Sequence, residues 1–231
     1  MCVIRSQRSV REFYLQALTA GVETAERLDA PVTDRFAAFL NALGPHVPRA
    51  ALELGYGHGI YAITLSRLGF RVTAVDQVPA DILRARIADQ SELADRIEIV
   101  EQRLEHFDVR QQFGIVVARN VLHYLDQQQV RCLLTRCVQR APGGAGHYLE
   151  VFTDIERTDR RGRRVFIEGE AAYTCAEFRT LIDTLYHGWD VHFTVAPYDE
   201  ANSGSTSAVR KYFHANRITV IARRGTIDAG G

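Results

Sequence analysis

The sequence predicts an α/β fold: a single domain with a seven-stranded, mostly parallel sheet, helices on both faces and an antiparallel C-terminal hairpin. Three observations predict it. Ala51-Leu52-Glu53-Leu54-Gly55-Tyr56-Gly57-His58-Gly59-Ile60-Tyr61-Ala62 reads as a buried strand ending in an acid, then a glycine-packed turn, then the start of a helix. Val72-Thr73-Ala74-Val75-Asp76 is a second β-branched run that also ends in an acid. The strand–helix rhythm then continues until two last strands that no helix separates, which requires an antiparallel pair at one edge.

The elements follow in order. Val10, Phe13, Tyr14, Ala17 and Leu18 recur at helical spacing, with Gly21 as the stop. Phe36, Phe39, Leu40 and Leu43 give a second helix, starting near Thr33 or Asp34 and ending at Gly44-Pro45. After the glycine turn a helix runs to Leu68, closed by Gly69. Ile82, Leu83 and Ile87 mark the next helix, and Ile97 to Val100 the third strand. Phe113 to Ala118 carries no polar side chain, as suits a strand covered on both faces. A helix from about Gln127 to Arg140 leads through Ala141-Pro142-Gly143-Gly144 into a strand, His147 to Phe152. Phe178, Leu181, Ile182 and Leu185 mark the last helix, and Asp190 to Ala196 and Ile218 to Arg223 the last two strands.

Composition bounds the partners. The 231 residues suffice for one such domain with additions, and the formal net charge of zero supplies no field that attracts nucleic acid or an anionic membrane. Of the 28 basic residues only Lys211 is lysine, a bias that reflects a GC-rich genome rather than a function. No secretory signal and no membrane-length apolar run is visible. Cys2, Cys132, Cys137 and Cys175 lack metal-ligand spacing, and Cys137 shares an apolar stripe with Val130, Leu133 and Leu134. The expectation is a bacterial, cytoplasmic, metal-free enzyme that binds neither nucleic acid nor membrane.

The first strand, glycine loop, helix and second strand make a nucleotide-binding half-fold, with Asp76 where a carboxylate meets ribose hydroxyls. Gly57, Gly59 and Ala62 meet the dinucleotide fingerprint loosely. Glu53, Gly55, Gly57 and Gly59 meet in register the acid-then-G-x-G-x-G of the class I, Rossmann-like methyltransferases that use S-adenosyl-L-methionine (SAM). The chain resembles that family along nearly its whole length, including the reversed last strand and the Pro-Gly-Gly turn before the fifth strand. Within it, Tyr173-Thr174-Cys175-Ala176-Glu177-Phe178, Gly188-Trp189-Asp190-Val191, Pro197-Tyr198-Asp199-Glu200 and Asn120-Val121-Leu122-His123-Tyr124-Leu125 are similar to the small-molecule, tellurite-resistance-type enzymes.

The resemblance implies residues 1–46 as an N-terminal helical cap or lid over the cofactor end of the sheet, 47–225 as the SAM-binding domain and 226–231 as a tail. It implies SAM as cofactor, held by Glu53, Gly55, Tyr56, Gly57, Gly59, Asp76, Gln77, Gln102, Arg103, Leu104 and Asn120. Glu53 lies near the methionine ammonium or serves only a helix-start hydrogen bond. Asp76 takes the ribose diol, with Gln77 and Val78 beside the adenine. Many family members carry an aspartate after the third strand for the adenine amino group; here Glu101-Gln102-Arg103-Leu104 stands there, and the Gln102 side-chain oxygen is the substitute acceptor. Gly114 replaces another common acid, without consequence for binding. His58 either faces solvent or meets the methionine carboxylate.

Methyl transfer rests mainly on positioning, because the sulfonium is already a good leaving group. His123, just after the fourth strand, is the candidate base, or else merely orients or packs. Tyr124, Tyr14, Tyr148 and Phe152 either surround the sulfonium or, for Tyr14, pack in the core. Asp159-Arg160-Arg161-Gly162-Arg163-Arg164 reads as a solvated loop, and Asn202 to His214 as a lid or an ordinary hairpin loop.

The Asp/Asn-Pro-Pro-Tyr motif of amino-methylating nucleic-acid enzymes is absent, Arg119-Asn120-Val121-Leu122 standing in its place, and no acid cluster points to a metal-dependent catechol enzyme. The expected activity is SAM-dependent methylation of a small-molecule acceptor. One alternative keeps SAM but breaks the γ-carbon–sulfur bond, by aminocarboxypropyl transfer or self-cyclisation with release of methylthioadenosine. Another is a non-catalytic SAM-binding module. The N-terminal helices serve either as lid or as a homodimer surface.

Overall fold

The computed structural model describes residues 2–19, 32–201 and 211–226. Its centre is a seven-stranded sheet of β2 (Ala50–Leu54), β3 (Arg71–Asp76), β4 (Ile97–Glu101), β5 (Ile115–Arg119), β6 (Gly146–Arg157), β8 (Asp190–Ala201) and β9 (Lys211–Arg223). The order is β4-β3-β2-β5-β6-β9-β8, parallel up to β6 and antiparallel beyond it. This is the predicted fold class, hairpin included.

Each central strand divides its side chains between two cores. Leu52 and Leu54 of β2 and Val116 and Ala118 of β5 face α6 (Gln127–Arg140) and α7 (Cys175–Leu185), through Leu133, Leu134, Phe178 and Leu181. Ala51, Ile115 and Val117 face the other way, onto α2 (Asp34–Asn41), α3 (Ile60–Arg67) and α4 (Ala80–Ile87). The period of two, combined with cover on both faces, is why these strands read as unbroken apolar runs. Cys137 is buried, and burial pushes its thiol up to about 12.

Helix ends follow local chemistry. Thr33 caps α2 by accepting from the Phe36 amide. Asp126 with Gln129 and Thr174 with Glu177 form reciprocal capping boxes at α6 and α7. Gly69 takes φ +86° after α3. The expected stop at Gly21 lies outside the described residues.

The two N-terminal helices differ in role. In α2, Phe36 and Phe39 are fully buried in the core shared with α3 and Tyr148. By contrast α1 (Gln7–Thr19) crosses the carboxyl ends of the strands, tied down by polar contacts from its first half. Gln7 Nε2 donates to the carbonyls of Tyr124 and Glu168, each at 2.9 Å, and Arg11 donates to the Gln77 carbonyl at 3.1 Å.

Three features exceed the sequence expectation. β1 (Val3–Arg5) pairs in parallel with β7 (Val165–Ile167), making a separate two-stranded sheet. A short helix, α5 (Ser91–Ala94), precedes β4. β6, β8 and β9 also run well beyond their apolar cores, to Arg157, Ala201 and Lys211, and so project past the parallel strands. No helix among the described residues is long and apolar enough to cross a membrane.

Candidate active site

The carboxyl ends of β2, β3, β4 and β5 converge on the loop Gly55–Gly59. Gly55, Gly57 and Gly59 adopt φ of +75°, +51° and +74°. A Cβ on Gly55 would sit 2.5 Å from Val121 Cγ2, and one on Gly59 would overlap Leu83, so a side chain at either position would also force its neighbour to shift. Glu53 is buried and accepts from the Ala62 amide at 2.6 Å, satisfying the first turn of α3, whose N-cap Gly59 has no side chain to do so. Asp76 accepts from the Gly57 amide at 2.9 Å and from the Val78 amide at 3.2 Å. Burial raises the Asp76 carboxyl, and those amides pull it back down. A carboxylate offers about four acceptor positions, so Asp76 keeps capacity for hydroxyl donors.

Tyr56 and Leu104 were expected among the cofactor contacts, and both side chains are core residues. The Tyr56 hydroxyl donates to the Val78 carbonyl at 3.2 Å, and Leu104 packs in the core beside α6, so each offers a ligand its main chain. His58 does not face solvent: its ring is buried, and burial with Arg86 nearby lowers it to about 4. The bulk of Tyr56 and His58, anomalous in the sequence, fills space behind the loop.

Gln77, Glu101, Gln102 and Arg103 line a shallow cleft that α1 closes with Gln7 and Arg11. Gln102 Nε2 donates to the His106 carbonyl at 2.9 Å, which turns the amide so that its oxygen stays available as an acceptor. Arg103 pairs with Glu105. Glu101 accepts from the Ala80 amide at 3.1 Å and thereby holds the start of α4. Gly114 has its own reason: a Cβ there would overlap the Pro48 carbonyl, where the chain entering β2 crosses.

Beyond β5 the chain turns sharply through Asn120, at φ +50°. That conformation is uncommon for a residue with a Cβ and marks a position held by its surroundings. Here the Asn120 amide donates to the Glu150 carbonyl at 2.8 Å. Asn120 Oδ1 is buried and has no hydrogen-bond partner, and the same holds for His123 Nδ1. Both residues line a cavity of about 630 Å³. Its walls come from β1, α1, the turn after β5, β7 and the projecting parts of β6, β8 and β9.

His123, Tyr124 and Tyr14 meet in this cavity. The Tyr14 and Tyr124 hydroxyls hydrogen-bond to each other, and their rings stand edge to face at 5.3 Å. His123 stacks against Tyr124 at 4.1 Å and meets Phe152 edge-on at 5.3 Å. Burial, then the Arg157 charge, holds the imidazole well below its usual value, so it is neutral. Tyr148, expected near the sulfonium, is instead a core residue under α2, with its hydroxyl on Glu150 Oε1 at 2.7 Å. Phe13, expected on the buried stripe of α1, is 57% exposed and lines the cavity.

The 159–164 stretch is a largely exposed turn, as expected for a solvated loop, but it is also ordered by its own contacts. Asp159 binds the Arg161 and Arg163 amides at 2.9 Å and Arg163 Nε at 2.7 Å, so the turn is self-pinned, and Asp159 and Arg160 line the cavity. Sequence reasoning also missed the buried pair of Arg157 with Glu170, at 2.6 Å through both nitrogens, which braces the wall. Its partners lie thirteen residues apart across a strand whose existence depends on β1, so no local signal announces it. Of the expected lid at Asn202 to His214, residues 202–210 lie outside the described residues, and Tyr212 and Phe213 belong to β9 and line the cavity.

The sheet order is that of the Rossmann-like class I methyltransferase fold, and the glycine loop and the acid after β3 lie at the carboxyl edge of its parallel strands. Residues 51–144 match the family described as "Methyltransferase domain". A ubiquinone biosynthesis O-methyltransferase of Bradyrhizobium diazoefficiens is 38% identical over 100 residues, which are 42% of this chain and 36% of that protein. The one from Rhodopseudomonas palustris strain TIE-1 is 33% identical over 87 residues, 37% of this chain and 33% of that protein. The chain thus spans about a third of the length of these relatives.

Among solved structures, the DhpI–SAH complex aligns with a TM-score of 0.57 at 19% identity, covering 94% of this chain and 96% of that one. A Burkholderia thailandensis 1,6-didemethyltoxoflavin-N1-methyltransferase aligns at 0.58 and 18%, covering 94% and 88%. TehB from Haemophilus influenzae aligns at 0.58 and 16%, covering 81% and 62%.

The methyltransferases that this domain resembles use SAM, and the residues present fit that cofactor. Asp76 retains acceptor capacity, the buried Asn120 Oδ1 is unpartnered beside the loop, and the Gln102 oxygen is free for an amino donor.

Proposed function

We propose that this protein is a SAM-dependent methyltransferase acting on a small-molecule acceptor held in the cavity beyond β5. The observation that carries the proposal is the cavity itself, about 630 Å³ and rimmed by Asn120 and His123 where the parallel strands end. Ligands of open α/β sheets bind at that edge, and the volume suits a small organic molecule. The O-methylating relatives and the didemethyltoxoflavin enzyme support a small acceptor.

Asp76 and the Gln102 oxygen would hold the nucleoside, and Glu53, the glycine loop and Asn120 the methionine portion. SAM, when bound, supplies an electrophilic methyl group on a sulfonium. The chain's own part is to bind, orient and keep water out. Phe13, Tyr14, Tyr124, Phe152 and Phe213 form an aromatic wall that excludes water from the acceptor. His123 is neutral and can accept a proton at Nδ1 from an acceptor hydroxyl, while the Tyr14–Tyr124 pair fixes the adjoining edge. α1 closes over the groove through Arg11 and Gln7.

For the γ-carbon alternative, the bulky loop residues Tyr56 and His58 have buried side chains and lend it no support, and the substituted adenine site does not separate the two readings. The test is incubation with SAM, with and without a panel of phenolic and N-heterocyclic acceptors, followed by mass spectrometry of the nucleoside products. Acceptor-dependent S-adenosylhomocysteine is expected. Enzyme-dependent methylthioadenosine from SAM alone would overturn the proposal, because a different bond would then be broken.

A further inference from the structure

We propose that the acceptor is a planar aromatic compound bearing an acidic group, its ring against the aromatic wall and its anion between Arg5 and Arg160. This rests on the reading of the cavity as the acceptor site.

The charge pattern carries the inference. Five charged side chains line the cavity: Arg5, Arg157, Asp159, Arg160 and Glu200. Three of them are already engaged. Arg157 is held by Glu170 through two 2.6 Å bonds. Asp159 is bound by Arg161 and Arg163. Glu200 accepts from the Tyr198 and Tyr212 hydroxyls, each at 2.8 Å. Arg5 and Arg160 alone among the five make no side-chain hydrogen bond or ion pair with the described residues.

Exposed arginines are usually just solvated, but these two are placed rather than scattered. Arg5 ends β1, where its carbonyl accepts from the Glu168 amide at 2.9 Å, and Arg160 sits on the turn that Asp159 pins. Two separate elements, each with a fixed backbone, bring uncommitted arginines to one cavity. A guanidinium fork matches the geometry of carboxylate, sulfonate and phosphate, and an anion bound in the cavity can answer both cations.

The aromatic requirement comes from the wall. Phe13 is held open to the cavity on α1, edge-to-face with Tyr14 at 5.9 Å, and Phe152 meets Phe213 edge-to-face at 5.2 Å. Rings presented in this way favour a flat partner through stacking and edge contacts. An inorganic oxyanion would use the arginines and leave the wall without a role.

The test is titration calorimetry of the full chain, without SAM, using 3,4-dihydroxybenzoate and its neutral analogue 3,4-dihydroxybenzamide as probes. The acid is expected to bind about tenfold tighter than the amide. The Arg5→Gln/Arg160→Gln double variant is expected to bind both alike, while keeping the wild-type melting temperature because both side chains are exposed. Equal binding of the two probes to the wild type, binding of neither, or a preference that survives in the double variant would overturn the proposal. Sodium phosphate competing as well as the aromatic acid would overturn it too, since the ring would then contribute nothing. SAM affinity, measured separately, tests the methyl-transfer reading: a chain that bound the aromatic acid but no SAM would refute that reading and leave the acid preference standing.

Discussion

The Asp76 carboxylate ties the tip of β3 to the middle of the glycine loop, accepting from the Gly57 amide at 2.9 Å across nineteen residues of sequence. The same side chain is therefore a loop-shaping group as well as the candidate ribose ligand. Asp76→Ala removes both functions, and hydrogen bonds to charged groups are worth about 1.5–3 kcal/mol each. SAM affinity is expected to fall at least about tenfold by titration calorimetry. Asp76→Asn keeps one acceptor oxygen and should retain the Gly57 contact, so it should bind SAM more weakly than wild type yet melt close to it. Unchanged affinity in the alanine variant would remove the ribose assignment.

Gly114 is required for packing. Its Cα faces the Pro48 carbonyl so closely that a Cβ would overlap backbone, which cannot rotate away as a side chain can. Overpacking of this kind costs about 1–3 kcal/mol. Gly114→Ala should lower the melting temperature by about 2–12 °C, the upper end if β2 and β5 are forced apart. SAM affinity in the surviving folded protein should match wild type. The glycine has a structural cause, the close approach of Pro48, that no single sequence displays.

The legible parts of the fold were those in which local pattern and tertiary environment agree. Phe113 to Ala118 had to be covered on both faces, and α6 and α7 announced themselves by apolar periodicity. What failed to read was structure made by pairing alone. β1 and β7 are three residues each and have no pattern before they meet. The outer half of β6, Thr153 to Arg157, is polar because it faces a cavity and solvent, and a bulge near Asp154 breaks its alternation. The cavity beyond β5 is built largely from those segments, so the glycine loop could be read from the sequence and the cavity could not. Phe13 and Tyr148 show the limit from both sides. Periodicity placed Phe13 in the core and chemistry placed Tyr148 in the site, and the fold exchanged them.

His123 makes a prediction about the pH profile. Burial lowers its imidazole well below the usual value, so an essential His123 would stay unprotonated across mildly acidic conditions. The profile of kcat/KM should therefore show no inflection near the ordinary histidine pKa of about 6.5 and should stay level on its acid side. His123→Ala is expected to reduce kcat by about 10²–10⁴ on an acceptor that must lose a proton, and much less on one that need not. Normal turnover of the alanine variant on a phenolic acceptor would rule out the base.

Three buried histidines also set the acid stability. His147 is fully buried with Nδ1 at 2.9 Å from the Tyr186 hydroxyl, and burial followed by the Arg224 charge lowers it to about 3. His58 is lowered to about 4, and His123 shifts in the same direction. Each is a base whose folded pKa lies below its unfolded one. As pH falls below about 6.5 the unfolded chain takes up protons that the folded chain refuses, so stability is lost downward from that point. One such group contributes a slope of up to about 1.4 kcal/mol per pH unit. His147→Gln keeps a polar partner for Tyr186 but cannot be protonated. Urea unfolding at pH 7 and pH 5 should show a smaller loss for this variant than for the wild type, by about 1–2 kcal/mol over the interval. Equal losses in the two proteins would mean that His147 accepts its proton in the folded state, and that the core around Tyr186 and Trp189 admits a charge.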